Sequence, residues 1–405
     1  MEKEFDVVVF GATGFTGSLV AEYLHSSYGT NAEVRWAMVG RSASKLAEVR
    51  DRIGAPKSLQ LLFADAADAA ALEAIARRAR VIITTVGPYQ WVGEPLLAAC
   101  ARCGTDYVDL CGEPGWMAQM IAKYQTVAQA SGARIVFSCG FDSIPFGFAI
   151  VYLQEQARRR WGSALSRVRG RVRAMNGTVS GGTVASLLAT LEAQRRDPSL
   201  AQTLANPFAL VPGFKGPDQP GGDAVVYDEV ARSWLSPFVM ATINTKNVHR
   251  TNALLGFPYG QEFLYDEMVL DGDGPAGKSK AMAHARTFRL QMALLGFAPT
   301  RALLRRFVLP KPGQGPGRRA REAGNYDILV VGEGSDGQTL RVSVKGDKDP
   351  GYGSTCKMLA ESALCLVQDM RPEALAGGIW TPGAAFGMAL VQRLQDRAGL
   401  SFSTE

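Results

Sequence analysis

The run Gly11-Ala12-Thr13-Gly14-Phe15-Thr16-Gly17 has the composition and spacing of a phosphate cradle. It follows the apolar stretch Phe5–Ala12 and opens a helical pattern. Gly11 permits the tight turn, Gly14 lets backbone approach a diphosphate, and Gly17 lets the helix lie close on the sheet. Free N–H groups and the helix dipole then favour an anion. Gly11 through Gly17 are therefore expected to hold the pyrophosphate of a dinucleotide. A purely structural glycine turn is the alternative, and the strand–turn–helix context argues against it.

The next apolar run ends Val39-Gly40-Arg41-Ser42. An NAD-selective site places Asp or Glu here, against the ribose 2′-hydroxyl. This chain offers Arg41, Ser42 and, one turn on, Lys45. A guanidinium meets phosphate oxygens with two hydrogen bonds, so these groups suit a 2′-phosphate and predict NADP(H). The bland reading is a solvated Arg41 and a Ser42 that only caps a helix. Asp65 faces the adenine or caps the following helix. Val86-Gly87-Pro88-Tyr89 lies where a cofactor crosses such a sheet; Pro88 fixes the loop and Gly87 leaves room beside the ribose.

These residues need rigid strands behind them. Val- and Ile-rich runs predict buried parallel strands at Phe5–Ala12, Val34–Gly40, Leu59–Asp65, Val81–Gly87, Asp106–Leu110 and Arg134–Gly140. Helical patterns fill the gaps at Phe15–Ser27, Ser44–Ile53, Ala67–Ala79, Glu94–Cys103 and Trp116–Ala130. Right-handed crossovers then give a doubly wound α/β sheet of Rossmann type, with strand order 3-2-1-4-5-6. Beyond residue 145 the rhythm breaks. Strands are expected at Val168–Ala174 and Glu262–Leu270, a helix at Val184–Arg195, and a hairpin of Tyr326–Val331 with Thr339–Val344 around Ser335-Asp336-Gly337. Two helices, Ser354–Gln368 and Ala384–Arg397, follow.

A chain of 405 residues is too long for one core, so two domains are expected. The excess of 44 Lys and Arg over 38 Asp and Glu suits an anionic cofactor or a lipid surface, and is too diffuse for nucleic acid. Cys100-Ala-Arg-Cys103 reads as helix thiols in a reducing compartment, and no metal is expected. The charged start fits no signal peptide, and no long uncharged apolar window occurs, so a cytoplasmic location is expected.

The motifs Gly11–Gly17, Val39–Ser42, Val86–Tyr89, Tyr107-Val-Asp-Leu-Cys-Gly-Glu113 and Cys139-Gly-Phe-Asp-Ser-Ile-Pro145 resemble the saccharopine dehydrogenase family. Gly315-Pro-Gly317 and Thr381-Pro-Gly-Ala-Ala-Phe-Gly387 resemble its trans-acting enoyl reductase branch, so the resemblance spans nearly the whole chain. It implies a Rossmann domain (1–147), an inserted α+β substrate or dimerisation domain (148–350), and C-terminal helices (351–405) that return to the Rossmann domain. It also implies NADPH and reduction of a polyketide- or lipid-like enoyl thioester, free or borne on a carrier protein, in lipid biosynthesis. Nothing matches the amino-acid-binding pattern of a true saccharopine enzyme, so the family alone does not fix the substrate.

Reducing an enoyl thioester requires a polarised carbonyl and a proton for the α-carbon. The strand ends offer Tyr89, Tyr107, Asp109, Cys111, Glu113, Asp142 and Ser143. Tyr89 and Ser143 can donate to the thioester oxygen and, with Asp142, form the candidate catalytic set. Asp109 and Glu113 suit loop shaping or capping. Cys139 joins the cofactor-binding group as a small residue near the ring. The loops Asn176–Thr183 and Lys345–Gly353 could close over the site.

Residues 286–309 are rich in Leu, Phe and Arg and contain no acid. They fit a helix on an anionic membrane, such as the inner face of the plasma membrane, a lid over an acyl chain, a homodimer interface, or a core helix with exposed arginines. Three readings stay open: a reductase of a lipid-like substrate, a dehydrogenase of an amino-acid-like substrate, and a non-catalytic nucleotide-binding scaffold. An apolar pocket, an arginine pair and a blocked pocket, respectively, would favour them.

Overall fold

The structure, a computed structural model, describes residues 3–30, 33–177, 181–311, 313–371 and 373–405. The described residues form fourteen strands: β1 (Phe5–Phe10), β2 (Trp36–Gly40), β3 (Gln60–Phe63), β4 (Ala79–Thr84), β5 (Asp106–Val108), β6 (Arg134–Val136), β7 (Arg167–Asn176), β8 (Val226–Asp228), β9 (Ser233–Pro237), β10 (Leu264–Gly272), β11 (Asn325–Glu333), β12 (Thr339–Gly346), β13 (Gly378–Trp380) and β14 (Leu400–Thr404). They make two seven-stranded sheets.

The first sheet runs β3-β2-β1-β4-β5-β6-β13 and every pairing in it is parallel. The order expected for its first six strands is the one found. β1 is buried along its whole length, which is why Phe-Asp-Val-Val-Val-Phe shows no polar alternation: helices cover both faces of a parallel sheet. Its one charge, Asp6, is held by Arg35 and Arg80. The seventh strand, β13, was not expected. It joins β6 through Ile379 and Ile135 from 244 positions away in sequence.

The second sheet runs β14-β12-β11-β7-β10-β9-β8. β7 and β10 are parallel; the other pairs are antiparallel. The β11–β12 hairpin turns through Ser335-Asp336-Gly337, and Gly337 takes the left-handed conformation (φ +81°) that glycine tolerates. The last strand, β14, pairs with β12 where only helices were expected. One apolar cluster runs from β1 and the helix Phe15–Tyr28, through the helix Ile144–Trp161, to β7, β11 and β12.

The segment 286–309 is not a core helix. It ends the helix Gly274–Gly296, whose buried residues are Gly277, Ala281 and Ala285, all earlier. It continues as the helix Ala298–Phe307, which has no buried residue.

Candidate functional site

A cavity of about 1510 Å³ lies between the C-terminal ends of the first sheet's strands and the second sheet with its helices. That exceeds the few hundred to roughly 1,000 Å³ of an ordinary small-ligand pocket. On the first-sheet side Gly11, Thr13, Gly14, Phe15 and Thr16 line it. The turn needs its glycines for separate reasons. Gly11 has φ +89°, and a Cβ there would lie 2.6 Å from the Val86 side chain. A Cβ on Gly17 would overlap the Gly11 carbonyl oxygen, so this position sets how closely the helix Phe15–Tyr28 meets the sheet. A Cβ on Gly14 would have only the Gly11 carbonyl oxygen, at 3.2 Å, for a neighbour within 4 Å. That is the open backbone a diphosphate requires. Ala12 and Gly17 are buried behind this surface.

Arg41 and Asp65 both line the cavity, at the ends of β2 and β3, and face each other at 3.6 Å. The Arg41 side chain is 79% exposed and so is free to turn toward an anion. Asp65 also accepts a hydrogen bond from the Ala67 amide (2.9 Å). The Ser42 hydroxyl caps the helix Ala43–Arg52 by accepting from the Lys45 amide (3.4 Å); neither Ser42 nor Lys45 lines the cavity. Val86 and Gly87 line it, while Pro88 sits behind them at the start of the helix Tyr89–Val92.

Cys139 does not reach the cavity. It is fully buried, with its Sγ 3.7 Å from the Val136 carbonyl oxygen, so its place in the cofactor-binding group is corrected to the core. The expected catalytic set separates in the same way. Ser143 is buried away from the cavity, and its hydroxyl accepts from Asn247 Nδ2 (2.7 Å). Tyr89 lines the cavity, but its hydroxyl donates to the Thr84 carbonyl (3.1 Å) and accepts from the Leu110 amide (3.4 Å). Asp142 lines the cavity, and burial pushes its carboxyl up to about 6.

Asp109 and Glu113 shape loops. Asp109 is fully buried and accepts from Tyr107 Oη (2.9 Å) and the amides of Cys111 (2.9 Å) and Ser138 (2.8 Å). Glu113 accepts from the amides of Tyr89 (3.0 Å) and Gln90 (2.9 Å). The two candidate closing loops both reach the cavity. Gly177, Gly182 and Thr183 line it from one and Pro350, Gly351 and Tyr352 from the other; Thr178, Val179 and Ser180 lie outside the described residues. Gly182 and Thr183 belong to the helix Gly181–Arg196. The Thr183 and Tyr352 hydroxyls meet at 3.0 Å, and the Tyr352 ring stands edge-on to Phe15 of the glycine turn.

The sequence reading missed two groups on the opposite wall. Glu267 on β10 lines the cavity and is 1% exposed. It accepts from Tyr265 Oη (2.6 Å) and Asn244 Nδ2 (2.8 Å), and burial pushes its carboxyl up to about 8. Alternation along β10 puts Tyr265 and Glu267 on one face and Asp266 on the other, where Asp266 pairs with Arg167 and Arg171. An acid two residues after a tyrosine, on the same face of a strand, was the available signal. Lys246 also lines the cavity. It donates to the carbonyls of Leu204 (2.7 Å) and Thr242 (2.9 Å), and burial lowers it to about 8.

Apolar side chains dominate the rest of that wall, among them Leu187, Leu191, Phe238, Phe288, Met292 and Leu295, beside the polar Thr190, Gln194, Gln219 and Asp223. Among the described lining residues Arg41 is the only arginine, so none stands on this wall to clamp a dicarboxylate.

Residues 7–136 match the saccharopine dehydrogenase NADP binding domain. A Mycobacterium tuberculosis relative is 39% identical over 420 residues, covering 99% of this chain and 98% of its own. The trans-acting enoyl reductase of Mycobacterium bovis is 37% identical over 410 residues, covering 97% and 96%. The saccharopine dehydrogenase (L-Glu forming) of Saccharomyces cerevisiae has a similar fold, with a TM-score of 0.53 and 11% identity over 99% of this chain and 100% of that one. With its glycine turn, an arginine in place of the NAD-selecting acid, and relatives along its full length, this chain belongs to the saccharopine dehydrogenase family, in the branch of the trans-acting enoyl reductases, and is an NADP(H)-dependent oxidoreductase.

Proposed function

We propose that the chain reduces the carbon–carbon double bond of an enoyl thioester whose acyl part is polyketide- or lipid-like. The observation that carries this is the single cavity joining the glycine turn to a largely apolar wall with no arginine pair among the described lining residues. A dinucleotide along the strand ends would rest its diphosphate on Gly11 and Gly14, its 2′-phosphate by Arg41 and its adenine by Asp65. Its nicotinamide would then lie toward Val86, Gly87 and Asp142. When bound, NADPH supplies a hydride to the β-carbon. The same chemistry serves a free thioester or one presented by a carrier protein, and suits a step in lipid biosynthesis.

Glu267 is the proton donor in this reading. Its carboxyl, held by Tyr265 and Asn244, keeps its proton at neutral pH. It stands on the wall opposite the glycine turn, across the cavity from where the cofactor would be held. Glu267 gives its proton to the α-carbon and regains one from water. Lys246 places a cation on the same wall, where charge building on the thioester oxygen is stabilised.

The test uses NADPH carrying deuterium at its transferable position and a long-chain trans-α,β-enoyl thioester. The expected product is the saturated thioester with one deuterium at the β-carbon and one NADP+ formed per turnover. Turnover of amino-acid substrates with none of the enoyl thioester would overturn the proposal.

A further inference from the structure

The helix Gly274–Gly296 presents apolar side chains on two opposite sides. Phe288, Gln291, Met292 and Leu295, at the spacing of one helical face, line the cavity. Leu290, Leu294 and Phe297, at the same spacing and roughly half a turn round, are exposed. The following helix, Ala298–Phe307, adds exposed Leu303 and Phe307, one turn apart, and then Val308. Six of the fourteen large apolar side chains exposed among the described residues thus fall within 290–308.

Charge is concentrated in the same place. Residues 274–321 hold eleven Lys and Arg and no Asp or Glu, leaving 33 basic and 38 acidic residues for the rest of the chain. Nearby acids offset three of these cations, Glu192 pairing with Arg301, Asp271 with Lys280 and also His284, and Glu322 with Arg318. Arg286, Arg289, Arg305, Arg306 and Lys311 are exposed.

We propose that these two helices seat the protein peripherally on an anionic lipid bilayer. Leu290, Leu294, Phe297, Leu303 and Phe307 enter the headgroup boundary, and Arg286, Arg289, Arg305 and Arg306 meet the headgroups. A second copy on this face would oppose like charges. An acidic protein would match the arginines but leave the apolar stripe without a counterpart. The first helix has the bilayer on one side and the cavity on the other, so an acyl chain has a short path from lipid to site. No helix among the described residues is long and apolar enough to cross a membrane, so the contact is one of surface seating.

The test is co-sedimentation of the full chain with phosphatidylcholine vesicles, with and without phosphatidylglycerol. It reads binding rather than turnover, so its outcome is separate from that of the enoyl assay. The wild type should bind only the anionic vesicles. Its partitioning should fall at least tenfold between about 0.1 M and about 1 M salt, as the screening length shrinks from about 10 Å to about 3 Å. Leu303→Ser with Phe307→Ser, and separately Arg305→Glu with Arg306→Glu, should each lower partitioning at least tenfold while circular dichroism and the thermal transition stay as in the wild type. These exposed positions are expected to tolerate the changes. Three results would overturn the proposal: a wild type that ignores anionic vesicles at low salt, a serine variant that binds as the wild type does (a purely charged face, as for an acidic protein), or a dimer in solution that the serine substitutions dissolve.

Discussion

Arg41 is the residue on which cofactor choice turns. Its guanidinium stands exposed at the end of β2, with Asp65 as its partner at 3.6 Å. Exchanging that solvated carboxylate for a 2′-phosphate replaces a weak surface pair with a charge-assisted, two-pronged contact. NADPH is therefore expected to bind at least tenfold more tightly than NADH, about 1.4 kcal/mol, and Arg41→Ala should remove most of that difference. Fluorescence titration of both variants with both cofactors measures it; equal wild-type affinities would refute it. Glu267 makes a prediction with a definite sign. Burial raises its carboxyl to about 8, so the protonated donor prevails below that pH and is lost above it. Under saturating substrate, kcat should fall as pH rises through about 8. Lys246, lowered by burial to the same range, sheds its charge there too, so Glu267→Gln should lower kcat by roughly a hundredfold or more with little change in KM, and only the double variant with Lys246→Met should lack the limb. A Glu267→Gln kcat equal to that of the wild type would show that the proton comes from elsewhere. At this scale the sequence was readable wherever backbone geometry dictates the residue, as at Gly11 and Gly17. It was misleading for Cys139 and Ser143, which lie just past β6 but turn their side chains inward. Proximity to a strand end does not determine which way a side chain points.

At the scale of elements, three helices meet on one buried acid. Glu361, in the helix Thr355–Leu364, accepts from Tyr23 (2.6 Å) and Tyr28 (2.7 Å) of the helix Phe15–Tyr28 and pairs with Arg393 of the helix Pro382–Arg393. The Glu361 side chain has no exposure. Removing the cation leaves an uncompensated buried charge, at a typical cost of about 3–5 kcal/mol. Arg393→Ala should lower the urea midpoint by that equivalent, whereas Arg397→Ala, four residues past the helix end, should change it little. Equal midpoints for wild type and Arg393→Ala would show that the tyrosines alone satisfy Glu361. The element pattern was legible where hydrophobic periodicity ran long, as in the first six strands and the β11–β12 hairpin. β13 and β14 were not, because three and five residues give too little pattern to read. Their pairing is decided by partners far away in the chain.

For the molecule as a whole, the order of the first sheet could be inferred because consecutive crossovers share one hand. The second sheet offered no such rule, since its neighbours come from residues 167 to 404 out of sequence. The last thirty residues of the chain supply one edge strand to each sheet, β13 beside β6 and β14 beside β12. This bears on synthesis at the ribosome. At about 5–20 residues per second, β6 would emerge roughly 10–50 s before its partner β13. Until then the outer edge of the first sheet stands open, and an open edge invites pairing with another chain. β6 is only three residues long, which gives a neighbouring nascent chain little to grip. Both sheets are therefore completed only once residues 378–404 have been made, and a chain stalled before residue 378 would expose an unfinished edge on each.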